Sequence, residues 1–482
     1  MSTRACLPPT VLAAGLLAAG CTVGPNYHRP QTSVPAAFRF DTHPPADSFA
    51  DQSWWQIYQD AILDELLSEA LANNLDVRIA ATRVEEARAV LGATRMQSLP
   101  QVSVNVGAQR GRVPLFQVPA GTPPISNVFE VNGNLSYEID FWGKYRRMTE
   151  GSRAQLLSSQ YARDDVAAGP VASVATAYFT LQTLDEQLAI TRRTVETRRK
   201  FVQLTQAQHE RGTVSGLDVA TAQAQLSIAE ANIPDLQRQI GQTEDQLSVL
   251  LGRNPDAVLR NADGQLRRAS ETVLTPVPPA GLPSSLLERR PDIREAEENL
   301  VAANAQVGVA RANLFPTISL TAAAGTASTA LGELTRNSSR TWSLAAGILQ
   351  PLLDPQRSWY QVELADAQKR EAILRYQKSL QSAFQEVSDA LIAREKFAEF
   401  QVAQQAQVDA QRKADTIALA RYRVGYSSYF NVIDADRDLF NAELSLSSAH
   451  LSTRLAMVQL YRALGGGWQS PPDGAHAPTP SQ

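Results

Sequence analysis

Residues 212–252 recur without a gap as residues 425–465, at a constant offset of 213 that pairs Ser215 with Ser428, Val219 with Val432, Leu247 with Leu460 and Leu251 with Leu464. Farther upstream, Asp76-Val77-Arg78 and Pro100-Gln101-Val102-Ser103 return as Asp292-Ile293-Arg294 and Pro316-Thr317-Ile318-Ser319, and Arg95 as Arg311, all at an offset of 216. A register held over that length marks an internal repeat, so one supersecondary unit must serve twice. The two copies span residues 52–252 and 284–467. Residues 253–283 join them, with Pro276, Pro278, Pro279 and Pro283 reading as a connector, and residues 468–482 are expected to form a flexible tail.

Each copy reads as a helix, two strands and two very long helices. Val131, Gly133, Leu135, Tyr137 and Ile139 alternate with polar neighbours. So do Val102, Val104 and Val106, then Ile318 and Leu320, then Trp342, Leu344, Ala346 and Ile348. Alternation over about nine to eleven residues fits a tilted membrane strand with a polar inner face, and equally a half-buried strand of a soluble sandwich. Four strands do not close a barrel, and open edges do not survive in lipid, so the membrane reading requires several chains; three copies supply about twelve strands. Residues 146–211, interrupted only by Gly169-Pro170, extend about 100 Å as a helix. Residues 217–251, 359–422 and 430–464 continue the theme. The last carries two apolar stripes, Leu439-Ala442-Leu446-Ala449-Ala456-Leu460-Ala463 and Leu444-Leu451-Leu455-Val458, rotated by about 140°. Two seams imply neighbours on two sides, as for a stave in a ring of helices, although a buried helix in a bundle also satisfies them.

The N-terminus offers a single positive charge at Arg4, an apolar stretch over residues 11–19, and Leu17-Ala18-Ala19-Gly20-Cys21. This resembles a bacterial lipoprotein signal over residues 1–20. The resemblance implies cleavage after Gly20 and N-acyl and S-diacylglycerol groups on Cys21, while Thr22, in place of a retaining Asp, implies export to the outer membrane. Cys6 leaves with the signal, so no disulfide is expected. Residues 21–51, rich in Pro, Ser and Thr, read as an extended lipid-anchored tether. No run of about 20 apolar residues follows, which excludes ordinary transmembrane helices from the body of the chain. A net charge of −4, from 45 basic and 49 acidic residues, gives no electrostatic claim on nucleic acid.

Catalytic signatures are missing. There is no G-x-S-x-G elbow, no H-E-x-x-H and no phosphate loop; His209-Glu210 runs on into Arg211-Gly212. Asp434, Asp436 and Asp438 imitate a calcium loop, but Leu439 and Ser445 stand where its glycine and terminal glutamate belong. With 5 His, 4 Met and 2 Cys, a copper or silver relay has few ligands. We therefore expect no enzyme, cofactor or metal. Phe430 and Asp434, four apart, share a helix face just after a turn at residues 424–428. Asp218, three after Ser215, completes a capping box at the equivalent turn of the first copy.

Several stretches together carry a family resemblance. They are Cys21-Thr22-Val23-Gly24-Pro25-Asn26-Tyr27-His28-Arg29-Pro30, Trp54-Trp55 leading to Ala70-Leu71-Ala72-Asn73-Asn74, Tyr137-Glu138-Ile139-Asp140-Phe141-Trp142-Gly143, Arg289-Arg290-Pro291-Asp292-Ile293 and Ala310-Arg311-Ala312-Asn313-Leu314-Phe315-Pro316. Over nearly the whole mature chain the sequence resembles the TolC-like outer-membrane efflux proteins, in particular their lipoprotein (NodT-type) branch. The resemblance implies a homotrimer with a twelve-stranded β-barrel in the outer membrane, four strands per chain, continued by a twelve-helix periplasmic α-barrel. It implies a passive exit duct of a tripartite pump, with a periplasmic adaptor and an inner-membrane transporter of the RND type as partners. Phe430 and Asp434 would form the periplasmic gate, Arg421 and Tyr422 would brace it, and the turns bearing Gly212, Ser215, Gly425 and Ser428 would meet the adaptor. A type I protein-secretion duct, a periplasmic coiled-coil spacer lipoprotein and a lipoprotein hydrolase remain as other readings. Leu353-Asp354-Pro355-Gln356-Arg357 departs from the glycine-rich strand-to-helix joint of many relatives.

Overall fold

The computed structural model describes residues 22–32, 34–40, 58, 60–112, 114, 116, 124–256, 283–350 and 355–467. The signal segment 1–20, Cys21, residues 41–51 of the tether, Trp54-Trp55, most of the connector, the tail, and Leu353 and Asp354 of the departing joint lie outside the described residues. Helices α1 (Ala61–Asn73) and α2 (Leu75–Met96) lead to strands β1 (Gln101–Arg112) and β2 (Ile125–Glu138), then to α3 (Lys144–Glu210) and α4 (Gly216–Leu250). After the short α5 (Leu286–Arg289), the second copy runs α6 (Pro291–Ala312), β3 (Thr317–Ser328), β4 (Arg340–Leu349), α7 (Pro355–Arg423) and α8 (Tyr429–Ala463). Helix α3 passes through Gly169-Pro170 without a break. The missing Pro170 N–H costs one backbone bond, and its ring is buried among neighbours that hold the helix through the defect.

Two compact units emerge. The first comprises residues 1–31, 83–160 and 295–377 and contains one antiparallel sheet ordered β1-β2-β3-β4. Pairing of Val102 with Leu135, Leu135 with Ala322 and Ala322 with Leu344 puts the apolar set of all four strands on one face. That face is bare: Val102, Val104 and Val106 are 74, 71 and 72% exposed, and Trp342 and Leu344 are 82 and 74% exposed. The opposite face carries Ser103, Asn105, Asn132, Asn134 and Thr321, with the Glu130 carboxylate accepting from Asn105 (3.1 Å) and Asn132 (3.2 Å). Strands β1 and β4 each pair on one side only, so both sheet edges are open.

Below the sheet, two of the sequence stretches meet. Trp142 stacks on Phe315 at 4.5 Å and donates to the Pro316 carbonyl at 2.8 Å. Residues 22–29, without regular structure, are held against this unit by side chains. The Val23 N–H donates to the Trp142 carbonyl at 3.0 Å, Arg147 donates to Asn26 at 2.8 Å, Asn304 donates to the Pro25 carbonyl, and Arg29 forms a bidentate pair with Glu297 at 2.7 Å. Gly24, at φ +100°, lies so close to Gly308 that an added Cβ would come within 2.5 Å of its Cα.

The second unit comprises residues 32–82, 161–294 and 378–482. Its core includes Tyr178 and Phe179 of α3, with the Tyr58 ring edge-on to Phe179 at 6.0 Å, and the fully buried Leu63 and Leu67 of α1. Asn74 bonds the Asp76 and Val77 N–H groups to start α2, and donates to the Leu250 carbonyl at 2.9 Å to finish α4. Arg290 pairs with Asp292 (2.6 Å) and Glu386 (2.8 Å) and donates to the Ala463 carbonyl at the end of α8. In α8, Ala442, Ala449, Ala456, Leu460 and Ala463 of the first stripe are buried while Leu439 and Leu446 are half-buried; of the second stripe Val458 is buried, and Leu444, Leu451 and Leu455 are only half-buried. No helix among the described residues is long and apolar enough to cross a membrane.

Candidate functional site

Two helix-to-helix turns frame the site, and each closes by the same local chemistry. Gly212 (φ +73°) and Gly425 (φ +79°) occupy left-handed positions that a residue with a Cβ reaches only under strain. Gly212 N–H donates to the His209 carbonyl and Thr213 N–H to Gln208; Gly425 N–H donates to Tyr422 and Tyr426 N–H to Arg421. This double bond pattern satisfies the last carbonyls of α3 and α7. The following helices start differently. Ser215 and Asp218 exchange bonds of 3.0 and 3.2 Å in a full capping box, while Ser428 makes no side-chain cap. Asp218 is therefore a structural acid. Gly212, Ser215, Gly425 and Ser428 are all exposed.

Of the four gate and brace candidates, the structure ties only one into the helix packing. The Tyr422 hydroxyl donates to Gln208 Oε1 at 2.7 Å, linking the end of α7 to the end of α3, and its ring lies 5.5 Å from that of Tyr429. Tyr429 in turn packs with Phe201, Val202, Ala222 and Leu226. Burial pushes both phenols up, Tyr429 to about 12. Arg421 is exposed, and among the described residues no ion pair joins it to Asp434. Asp434 bonds Arg437 at 2.5 Å one helical turn along. Phe430 is 67% exposed, so it is not a core residue. Phe430, Asp434 and Arg421 thus stay outside the contacts between helices, while Tyr422 is fixed within them.

Sequence reasoning missed the charged layer behind this surface. Arg198 of α3, with a side chain 5% exposed, donates to Asp436 of α8 at 2.7 Å and to the Gln225 carbonyl of α4 at 2.8 Å, and its guanidinium lies 5.2 Å over the Phe440 ring. Glu443 accepts from Arg412 at 3.0 Å and lies 3.7 Å from Arg193. Asp415, between them on α7, has its carboxyl pushed up by burial first and by Asp436 and Glu443 next. Arg193, Arg412, Asp415, Asp436 and Glu443 border an open cleft of about 470 Å³. Asp436 stands in the same Asp434-Asp436-Asp438 run that attracted attention in the sequence, but alternate positions of a helix point about 200° apart, so only the middle acid turns inward. Arg198 carried no signal: at the repeat offset of 213 its counterpart is Gln411, and that of Asp436 is Gln223. The ion pair belongs to one side of the repeat only.

A sheet that exposes its apolar face and both edges, joined twice to helix pairs of 67 and 35 and of 69 and 35 residues, is the protomer of a membrane channel that closes by repetition. The particular family follows from comparison with known proteins. The family model described as outer membrane efflux protein matches residues 66–253 and 282–466, and the chain belongs to that family. It is an efflux channel component of the Gram-negative outer membrane. The toluene efflux pump outer membrane protein TtgC of Pseudomonas putida is 36% identical over 93% of each chain. The cation efflux system protein CusC of Escherichia coli is 32% identical over 93% of this chain and 96% of its own. Among solved structures, the outer-membrane channel OprN superposes with a TM-score of 0.86 at 30% identity, covering 93% of this chain and all of its own.

Proposed function

We propose that three copies of this chain close into a passive exit duct of a tripartite efflux pump, a twelve-stranded barrel in the outer membrane continued by twelve helices. The observation that carries this reading is the four-stranded sheet with an outward apolar face, a polar reverse face and two unpaired edges. In lipid those edges must pair, and another copy of the same sheet offers the complementary edge. Leu444, Leu451 and Leu455 of α8, half-buried within one copy, leave apolar surface for a neighbouring helix to cover in the same way. Energy comes from an inner-membrane transporter of the RND type, coupled through a periplasmic adaptor that meets the exposed turns at Gly212, Ser215, Gly425 and Ser428. The chain itself performs no catalysis and holds no cofactor. Cys21 carries the acyl groups, and the docked segment that follows it ties them to the body of the protein.

The cargo is of small toxic compounds; toluene and cations, in the names of two relatives, bracket the range. Around the threefold axis Phe430 and Asp434 form rings that narrow the periplasmic mouth, with Tyr422 holding the helices within each copy and the exposed Arg421 left to brace against a neighbouring copy. Planar-bilayer recording of purified protein, with its mass measured intact, tests the duct directly. A conducting trimer is the expected result. A protein that stays monomeric, or a trimer that passes no ions, would count against it.

A further inference from the structure

The charges of the sheet are divided by face. Glu130 and Glu138 point to the polar side, whereas Arg110, Arg112 and Arg340 take positions on the apolar side, since Arg110 pairs with Asn127, Arg112 with Ile125 and Arg340 with Thr326. An arginine facing lipid is costly at mid-membrane and nearly free at the interface, so these three mark the upper rim of the apolar band. Both edge strands agree on its height. In β1 the outward positions from Val102 to Ala108 are apolar and Arg110 follows; in β4 those from Ile348 back to Trp342 are apolar and Arg340 follows. Measured to the arginine that ends it, each run rises about 19 Å for a strand tilted near 45°. Trp342, 82% exposed just inside Arg340, is placed as an interfacial aromatic.

None of the three arginines pairs with an acid among the described residues, and all are exposed, in contrast to Arg336, which Glu333 neutralises at 2.8 Å. They also stand only on the edge strands. When sheets close copy to copy, β4 of one protomer lies beside β1 of the next, which gathers Arg340 with Arg110 and Arg112 at the same end of every seam. We propose that each seam is a binding site for the phosphorylated headgroup of an outer-leaflet glycolipid, whose phosphates meet the arginines while its acyl chains lie along the apolar band beneath. Guanidinium groups suit phosphate because they donate two parallel charge-assisted bonds. The lipid then straddles the junction between two copies and staples it.

This rests on the closed-barrel reading, and the test separates the two. Full-length trimer is titrated with bisphosphorylated lipid A and with the same lipid dephosphorylated, reading bound lipid by native mass spectrometry. Wild type should prefer the phosphorylated lipid. Arg110→Gln/Arg112→Gln/Arg340→Gln should weaken that binding at least about tenfold, and the three lysine replacements, which keep the charge but not the paired bonds, should fall between it and wild type. Arg336→Gln should leave it unchanged. If the triple variant fails to assemble, Arg340→Gln and Arg112→Gln alone should each weaken binding a few-fold. A wild-type trimer indifferent to the phosphates, or variants that bind as wild type does, would overturn the lipid site and leave the barrel standing. Wild-type protein that never forms a closed oligomer would overturn both.

Discussion

Removing the Asp436 charge leaves the buried Arg198 guanidinium uncompensated, with only neutral oxygens such as the Gln225 carbonyl to accept from it. Asp436→Asn should therefore cost on the order of 3 kcal/mol, read as a lowered unfolding midpoint of the assembled protein. Replacing both partners by apolar residues of similar size should restore much of that loss, because the cost lies in the orphaned charge rather than in the missing attraction. At Tyr422 the balance differs. Tyr422→Phe keeps the ring against Tyr429 and removes only the 2.7 Å bond to Gln208, a loss of about 1 kcal/mol. Combined with Arg421→Ala, it should raise single-channel conductance, whereas Asp434→Ala should chiefly weaken cation preference and Phe430→Ala should widen the constriction without changing selectivity. Unchanged recordings from all of these variants at equal trimer yield would place the aperture elsewhere. That Phe430 and Asp434 share one helix was legible in the sequence, because a helix face is read from spacing. Asp436 was not, since spacing alone leaves open which of the alternating acids turns inward until Arg198 arrives from a helix more than two hundred residues away.

The four long helices lie within a few residues of their sequence limits because their apolar periods are long and their stops are glycines at positive φ. What the pattern overstated was the interruption at Gly169-Pro170, where packing carries the helix through. The two repeats should answer differently to the same change at their second turns. Ser215→Ala breaks a capping box and should cost about 1 kcal/mol, while Ser428→Ala removes no side-chain cap and should stay within a few tenths; a midpoint shift of equal size for both would contradict the assignment. Helix α1 carries a pH signature. Burial, and then the neighbouring Asp60, raise the Asp64 carboxyl to about 6. A raised folded value means that the protonated form is favoured by folding, so this contribution is whole below pH 4 and is lost as pH climbs through about 6. Asp64→Asn should accordingly match wild type at pH 4 and exceed it by roughly 1–2 kcal/mol above pH 7, a difference visible in unfolding curves taken across that range. The family-like stretches proved to be joints: Asn74 between α2 and α4, Arg290 at the end of α8, Trp142 on Phe315.

For the molecule as a whole, the two faces of the sheet make opposite demands. Val104→Arg puts a charge on the apolar face at mid-strand and should abolish stable trimer, at a cost of about 2–4 kcal/mol per copy. Asn105→Arg, one residue on, turns to the polar face; it should leave the trimer intact and shift its permeability towards anions. If gel-resistant trimer survived both substitutions equally, the faces would be misassigned. The alternation that predicts this was plain in the sequence, but it fitted a soluble sandwich as well, and only the bare apolar face and the unpaired edges decide between them. Those edges also have a meaning for the cell that makes the protein. If three copies close the barrel as proposed, one or two leave a ribbon with exposed backbone N–H and C=O groups, each costing several kcal/mol in hydrocarbon. Insertion is thus a vote that passes only with a full quorum, and a surplus of unpaired subunits leaves the permeability barrier of the cell untouched.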